Sequence, residues 1–133
     1  MATIFSKIVA REIPAHIVAE DENYLAFLDI NPLADGHTLV IPKKEVDYLF
    51  DLDNQTLEGL FSFSKGVAKA IESVITCERI GVSVIGLEVP HAHVHLIPIN
   101  AVDDINFSKM KLSPSKEELA ETAKKIKAVY EGM

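Results

Sequence analysis

Apolar residues recur along this chain with two periods, and the switches between them mark out its elements. Residues 4–11 carry Ile4, Phe5 and Ile8 on one side of a short amphipathic helix, which Glu12-Ile13-Pro14 ends because a residue before proline avoids helical geometry. Period two then takes over. Ile17-Val18-Ala19-Glu20 reads as a first strand, Asp21-Glu22-Asn23 as a tight turn, and Tyr24 to Ile30 as a second strand ended by Asn31-Pro32. Its alternation puts Leu25, Phe27 and Asp29 on one face and Tyr24, Ala26, Leu28 and Ile30 on the other. Asp35-Gly36 turns the chain into a third strand, His37 to Ile41, closed by Pro42.

Helical spacing returns after Asp53, a suitable N-cap, in a long helix from about Asn54 to Ser73 or Ile75. Leu57, Leu60, Phe61, Ser64, Val67, Ala68, Ile71 and Val74 form its core stripe, with Gly59 and Gly66 marking close packing. Arg79 to Ile85 alternates as a fourth strand, and Gly86 to Pro90 is a loop or bulge. His91 to Pro98 is the fifth strand, with Ala92, Val94 and Leu96 entering the core and His91, His93 and His95 lining the other face. Residues 100–111 are polar and irregular. A last helix within residues 113–131 starts at Ser113-Pro114 or Ser115, with Glu118 closing a capping box, and buries Leu119, Ala123, Ile126, Val129 and Tyr130. The simplest assembly is a single α+β domain over residues 1–133, with a five-stranded antiparallel sheet.

Composition narrows the function classes. The 133 residues are 48% hydrophobic, carry a formal charge of −7, and contain one cysteine, Cys77, which rules out an internal disulfide and a multi-thiolate zinc site. The acidic balance argues against nonspecific binding of nucleic acid or anionic membranes, while a phosphate-bearing small ligand needs only local positive groups. With no membrane-spanning apolar run and no signal peptide at Met-Ala-Thr-Ile-Phe-Ser-Lys, the expected location is cytoplasmic.

Three of the five histidines fall within five residues. A row of imidazoles fits a metal site, an acid–base and nucleophilic site for an anionic substrate, or a structural row. Alternate residues on a flat strand stand about 6 to 7 Å apart, too wide for one ion without bending.

His91-Ala92-His93-Val94-His95 followed by Ile97-Pro98 resembles the signature of the histidine triad (HIT) superfamily. Ile4-Phe5-Ser6-Lys7-Ile8 with Glu12-Ile13-Pro14, Phe27 to Pro32, and Gly36 to Lys43 resemble its Hint-like branch. The resemblance implies a HIT-like fold with a long central helix, here followed by an extra C-terminal helix, and a homodimer with a continuous sheet. It also implies a purine nucleotide hydrolase or transferase that cleaves P–N or related bonds through a nucleotidyl-histidine intermediate. Carried over, His93 is the nucleophile, His95 contacts the phosphate and assists the leaving group, and His91 fixes the orientation of His93. His37 borders the site, Asp29 holds the ribose hydroxyls, and Phe5, Ile8, Phe27 and Ile30 form the purine slot. Ligands are purine nucleoside monophosphates and their phosphoramidate or anhydride derivatives, and no metal or other cofactor is needed.

The loop before the triad departs from that pattern. Leu87 replaces the usual glutamine, and Glu88 the usual hydroxyl residue, so Glu88 is expected to orient a triad histidine or the attacking water. This loop also allows the alternative of a nucleotide-binding protein with weak or no turnover. Some relatives carry a structural zinc; Thr3 and Ser6 stand at the cysteine-like positions and Glu45 at a third, and hydroxyls are poor replacements for thiolates.

Overall fold

The structure is a computed structural model in which residues 2–133 are described. Three helices and five strands follow in the order α1 (Ile4–Val9), β1 (Ile17–Glu20), β2 (Tyr24–Leu28), β3 (Thr38–Pro42), α2 (Asn54–Val74), β4 (Arg79–Ser83), β5 (Val94–Ile99) and α3 (Lys116–Glu131). The strands form one sheet in the spatial order β1-β2-β3-β5-β4, and every neighbouring pair is antiparallel. This is the α+β fold with the long helix and the additional C-terminal helix expected from the sequence.

The pleat of β2 and β3 sorts side chains between two cores. Tyr24, Ala26, Leu28 and Val40 join Val94 and Leu96 against Leu60, Phe63, Val67 and Ile71 of α2 and Leu119, Ala123 and Ile126 of α3. Leu25, Phe27, Leu39 and Ile41 point the other way, where Phe5 and Ile8 of α1 cover them. Both faces of the inner strands are therefore buried. Among the described residues, no helix is long and apolar enough to cross a membrane.

Local chemistry sets the helix ends. The Asp53 carboxylate accepts the Thr56 N–H (2.7 Å), and Ser115 and Glu118 exchange reciprocal bonds at the start of α3. Each such cap is worth about 1 kcal/mol. Gly59 lets α2 approach the sheet, since a Cβ there would lie 2.1 Å from the Tyr24 hydroxyl.

Several boundaries differ from the sequence reading. Helix α1 stops at Val9 and turns Ile4 outward, while Phe63 rather than Phe61 faces the core from α2. Strand β2 stops at Leu28 because the Asp29 carboxylate caps the Asn31 N–H (2.9 Å) in a local turn. Strand β4 ends at Ser83, and β5 begins only at Val94. The chain just before β5 bonds elsewhere: the His91 N–H to the Val89 carbonyl, and the Ala92 N–H to the Val46 carbonyl. Of the three triad histidines, only His95 lies within a strand.

Candidate functional site

The histidines open onto the sheet face that α1 partly covers, and all three are buried. Aromatic rings form a row across this face. The Phe5 ring meets His93 edge-on at 5.0 Å, His93 meets His95 at 4.9 Å, and His95 meets Phe107 at 4.8 Å. His37 lies beside His95, 5.2 Å between ring centres. The late start of β5 thus does not scatter the triad.

Hydrogen bonds assign the protons on each neutral ring. The Pro42 carbonyl only accepts, so the His91 Nε2–H donates to it (2.8 Å) and His91 Nδ1 accepts from the Thr3 hydroxyl (3.3 Å). The His91 carbonyl in turn accepts from His93 Nδ1 (2.8 Å). A neutral His93 therefore keeps a free lone pair on Nε2. On the other side, the Leu33 N–H donates to His37 Nδ1 (3.0 Å), which leaves the His37 proton on Nε2 to be donated to His95 Nδ1 (3.0 Å). His95 then carries its own proton on Nε2. The result is a lone pair on His93 beside an N–H on His95.

Burial favours the uncharged form of His37, His95 and His91. It pushes His37 down to about 3, with His95 and Lys111 adding to the effect, and pushes His95 down to about 4, with His93 the second cause. Burial also lowers His91, against the opposing pull of the Pro42 carbonyl. Asp29 sits at the end of β2 with one oxygen 3.7 Å from His37 Nε2. Burial raises its carboxyl above the usual range, opposed by the Asn31 N–H, His93 and Lys111.

The remaining site candidates divide. Phe5, Ile8 and Phe27 share one buried cluster, with Phe5 and Phe27 edge-to-face at 5.4 Å. Ile30 lies past the strand, 61% exposed, and takes no part in that cluster. Glu88 is exposed and forms no hydrogen bond with a histidine among the described residues, although its charge reaches Asp29. The sequence reading missed Phe107, Lys111 and the Leu33 N–H. The one signal available for the first was a lone aromatic residue within an irregular stretch rich in Asn, Asp and Lys.

Two donor sets test for a metal. Asp29, His37 and His95 have ligand atoms within 4.8 Å of one another. Yet the Leu33 N–H occupies the Nδ1 lone pair of His37, so the neutral ring has no second lone pair to offer from Nε2. The zinc-like positions also come together: Ser6 donates to Glu45, the Thr3 N–H reaches the same carboxylate oxygen (3.2 Å), and the Thr3 hydroxyl binds His91. Two hydroxyls and an exposed carboxylate do not fit a thiolate zinc site, and hydrogen bonds already tie the cluster together.

The family model for the HIT domain matches residues 10–102, which include His37 and the triad. The chain belongs to the histidine triad (HIT) superfamily. It is 39% identical over 133 residues to the HIT-like protein MJ0866 of Methanocaldococcus jannaschii, covering 93% of this chain and 98% of that one. It is 38% identical over 99 residues to the adenosine 5'-monophosphoramidase HNT1 of Saccharomyces cerevisiae, covering 73% of this chain and 62% of that one. A zinc-bound histidine triad protein of Mycobacterium smegmatis superposes with a TM-score of 0.84 at 28% identity, covering 99% and 95% of the two chains. The HIT fold of this chain thus spans both the matched domain and its flanks.

Proposed function

We propose that this HIT protein cleaves P–N or related bonds of purine nucleoside monophosphate derivatives through a nucleotidyl intermediate on His93. The observation that carries the reading is the proton arrangement: an Nε2 lone pair on His93, fixed by the His91 carbonyl, next to an Nε2–H on His95, fixed by His37. The HNT1 relative, an adenosine 5'-monophosphoramidase, supports the substrate class.

His93 Nε2 attacks the α-phosphorus, and the new N–P bond forms as the bond to the leaving nitrogen breaks. The leaving nitrogen, already protonated in the phosphoramidate, departs with the bonding pair as the neutral amine, while the His95 Nε2–H keeps its proton and donates a hydrogen bond to the phosphoryl oxygen beside the leaving group. Water then attacks the same phosphorus, the His93–phosphorus bond breaks with its electron pair returning to His93 Nε2, and the water's proton passes to solvent. The products are the nucleoside monophosphate and the free amine, with both imidazoles restored. His91 positions His93 through its carbonyl. Phe5, Ile8 and Phe27 hold the purine, Ile30 closes the outer lip of the slot, and Asp29 accepts the ribose hydroxyls. No step needs a metal. The protein acts in the cytoplasm as a homodimer joined along the β4 edge, where Val82 and Ile85 are exposed.

One observation favours a second reading, a nucleotide-binding protein with weak turnover: the loop 86–90 leaves Leu87 88% exposed and offers no neutral side-chain donor. Hydrolysis of adenosine monophosphoramidate by wild type and His93→Ala, with and without a chelator, separates the two. The hydrolase reading expects turnover by wild type alone, indifferent to chelator. AMP binding without turnover in wild type would leave only the binding reading.

A further inference from the structure

The neutral rings leave an electrostatic gap. A phosphate bound at His93 and His95 brings negative charge to a face already bordered by Asp29, with Glu88 nearby, while His37, His91 and His95 are held uncharged by burial. The loop before the triad supplies Leu87, Glu88, Val89 and Pro90, none of them a cation. A dry polar site that binds an anion needs fixed positive charge aimed at it.

The segment after β5 lies across this end of the site as a strap. Its start rests on β4 through Ile105, packed so closely over Gly81 that a Cβ there would come within 2.3 Å of Ile105 Cδ1. Its middle places the Phe107 ring against His95 and, at 6.3 Å, against His37. Its end is tied beside Asp29 by the Leu112 N–H to the Pro32 carbonyl (2.9 Å). Lys111 is the lysine that this path delivers. Its ammonium donates to the Phe107 carbonyl (2.6 Å) and lies 5.9 Å from the centre of the Phe107 ring. The neighbouring lysine of the strap is spoken for, since Lys109 pairs with Asp103. Lys111 forms no ion pair among the described residues, and its charge is felt by both Asp29 and His37.

We infer that Lys111, carried over the site by the 101–112 strap and steadied on Phe107, is a binding residue for the substrate's phosphate. The inference rests on the nucleotide reading above and names the group that makes the site prefer a phosphorylated ligand. The phosphate draws the ammonium from the Phe107 carbonyl, exchanging a neutral acceptor for a charged one.

The test is calorimetric binding of AMP and of adenosine to the full chain as wild type, Lys111→Met and Lys111→Arg. Adenosine reads the purine slot and Asp29, and AMP adds the phosphate. Wild type is expected to prefer AMP, Lys111→Met to lose about tenfold in AMP affinity with adenosine affinity unchanged, and Lys111→Arg to recover most of the loss. An AMP preference unchanged in Lys111→Met, or an equal loss for both ligands, would overturn the inference in favour of a strap that only packs. Wild type binding neither ligand would overturn the nucleotide reading, and the inference with it.

Discussion

Replacing His37 with glutamine tests the proton arrangement through stability alone, without any substrate. An unfolded histidine titrates near 6.5, whereas burial holds His37 down to about 3 in the fold. Below about pH 6.5 the unfolded chain takes up a proton that folded His37 refuses, so stability falls as pH falls toward the folded value. The slope for one such group is about 1.4 kcal/mol per pH unit. Between about pH 6 and pH 4.5, His37 alone therefore costs about 2 kcal/mol. A glutamine side chain cannot titrate, while its amide N–H can still reach His95 Nδ1. The substitution leaves the Leu33 N–H without its acceptor, a loss of about 1 to 3 kcal/mol at neutral pH for one buried donor. Urea unfolding in half-unit pH steps gives both quantities. The variant should be less stable than wild type at pH 7, and the gap should shrink by about 2.5 kcal/mol by pH 4.5. Parallel stability curves from pH 7 to pH 4.5 would refute a buried neutral His37, and with it the assignment of the His95 proton to Nε2.

Other sites give independent checks. Asp29→Asn should reduce the preference for ribose over 2'-deoxyribose nucleotides about tenfold, read from kcat/KM, because an amide accepts from two hydroxyls less well than a carboxylate. Thr3→Val removes the α1 cap and the His91 Nδ1 partner together. Thermal unfolding should register a loss of about 2 kcal/mol, and added zinc should not restore it. Gly81→Val drives a side chain into Ile105, so it should cost about 1 to 3 kcal/mol and weaken AMP binding in the manner of Lys111→Met. A normal AMP affinity in Gly81→Val would separate the strap's seat on β4 from phosphate binding.

Elements whose periodicity is governed by one core were legible from the sequence. The α2 and α3 stripes follow from burial against a single partner layer and their caps at Asp53 and Ser115 from local chemistry, while strict alternation sends Phe27 and Leu28 to opposite faces, one to each core. Misreadings cluster where a side chain or carbonyl outside the ladder captures the backbone. Alternation continues through Asp29 and back to His91, yet the Asp29 carboxylate ends β2, and the Val46 carbonyl takes the Ala92 N–H before β5 can start. Period two records which way a side chain points, and His91 and His93 keep that sense outside the ladder that holds His95. Phe61 and Phe63 show a related limit: both lie near the apolar stripe, and Phe63 is the one that meets partners from other elements, stacked on Tyr24 at 5.6 Å and edge-on to Tyr130 at 5.9 Å.

The division between matched and flanking residues carries a consequence for specificity. His37, Asp29 and the triad all lie within residues 10–102, the part that matches the HIT domain model. So do Phe27 and Ile30 of the proposed slot, but the other groups that wall the site do not. Phe5, Ile8 and the Thr3 hydroxyl precede the match, while Phe107 and Lys111 follow it. The two walls meet opposite ends of one ring row, Phe5 at His93 and Phe107 at His95, so they flank the two imidazoles of the proposed reacting pair without belonging to the shared sheet. Substitutions in the walls should therefore change KM and ligand preference while leaving the His91 carbonyl–His93 and His37–His95 hydrogen bonds intact. Phe107→Leu makes the distinction measurable. It should alter the ranking of substrates with different leaving groups, whereas His37→Gln should lower kcat for all of them by a similar factor. A uniform loss of kcat in Phe107→Leu would mean that the strap supports the His95 proton itself, and the walls and the reacting pair would have to be treated as one unit.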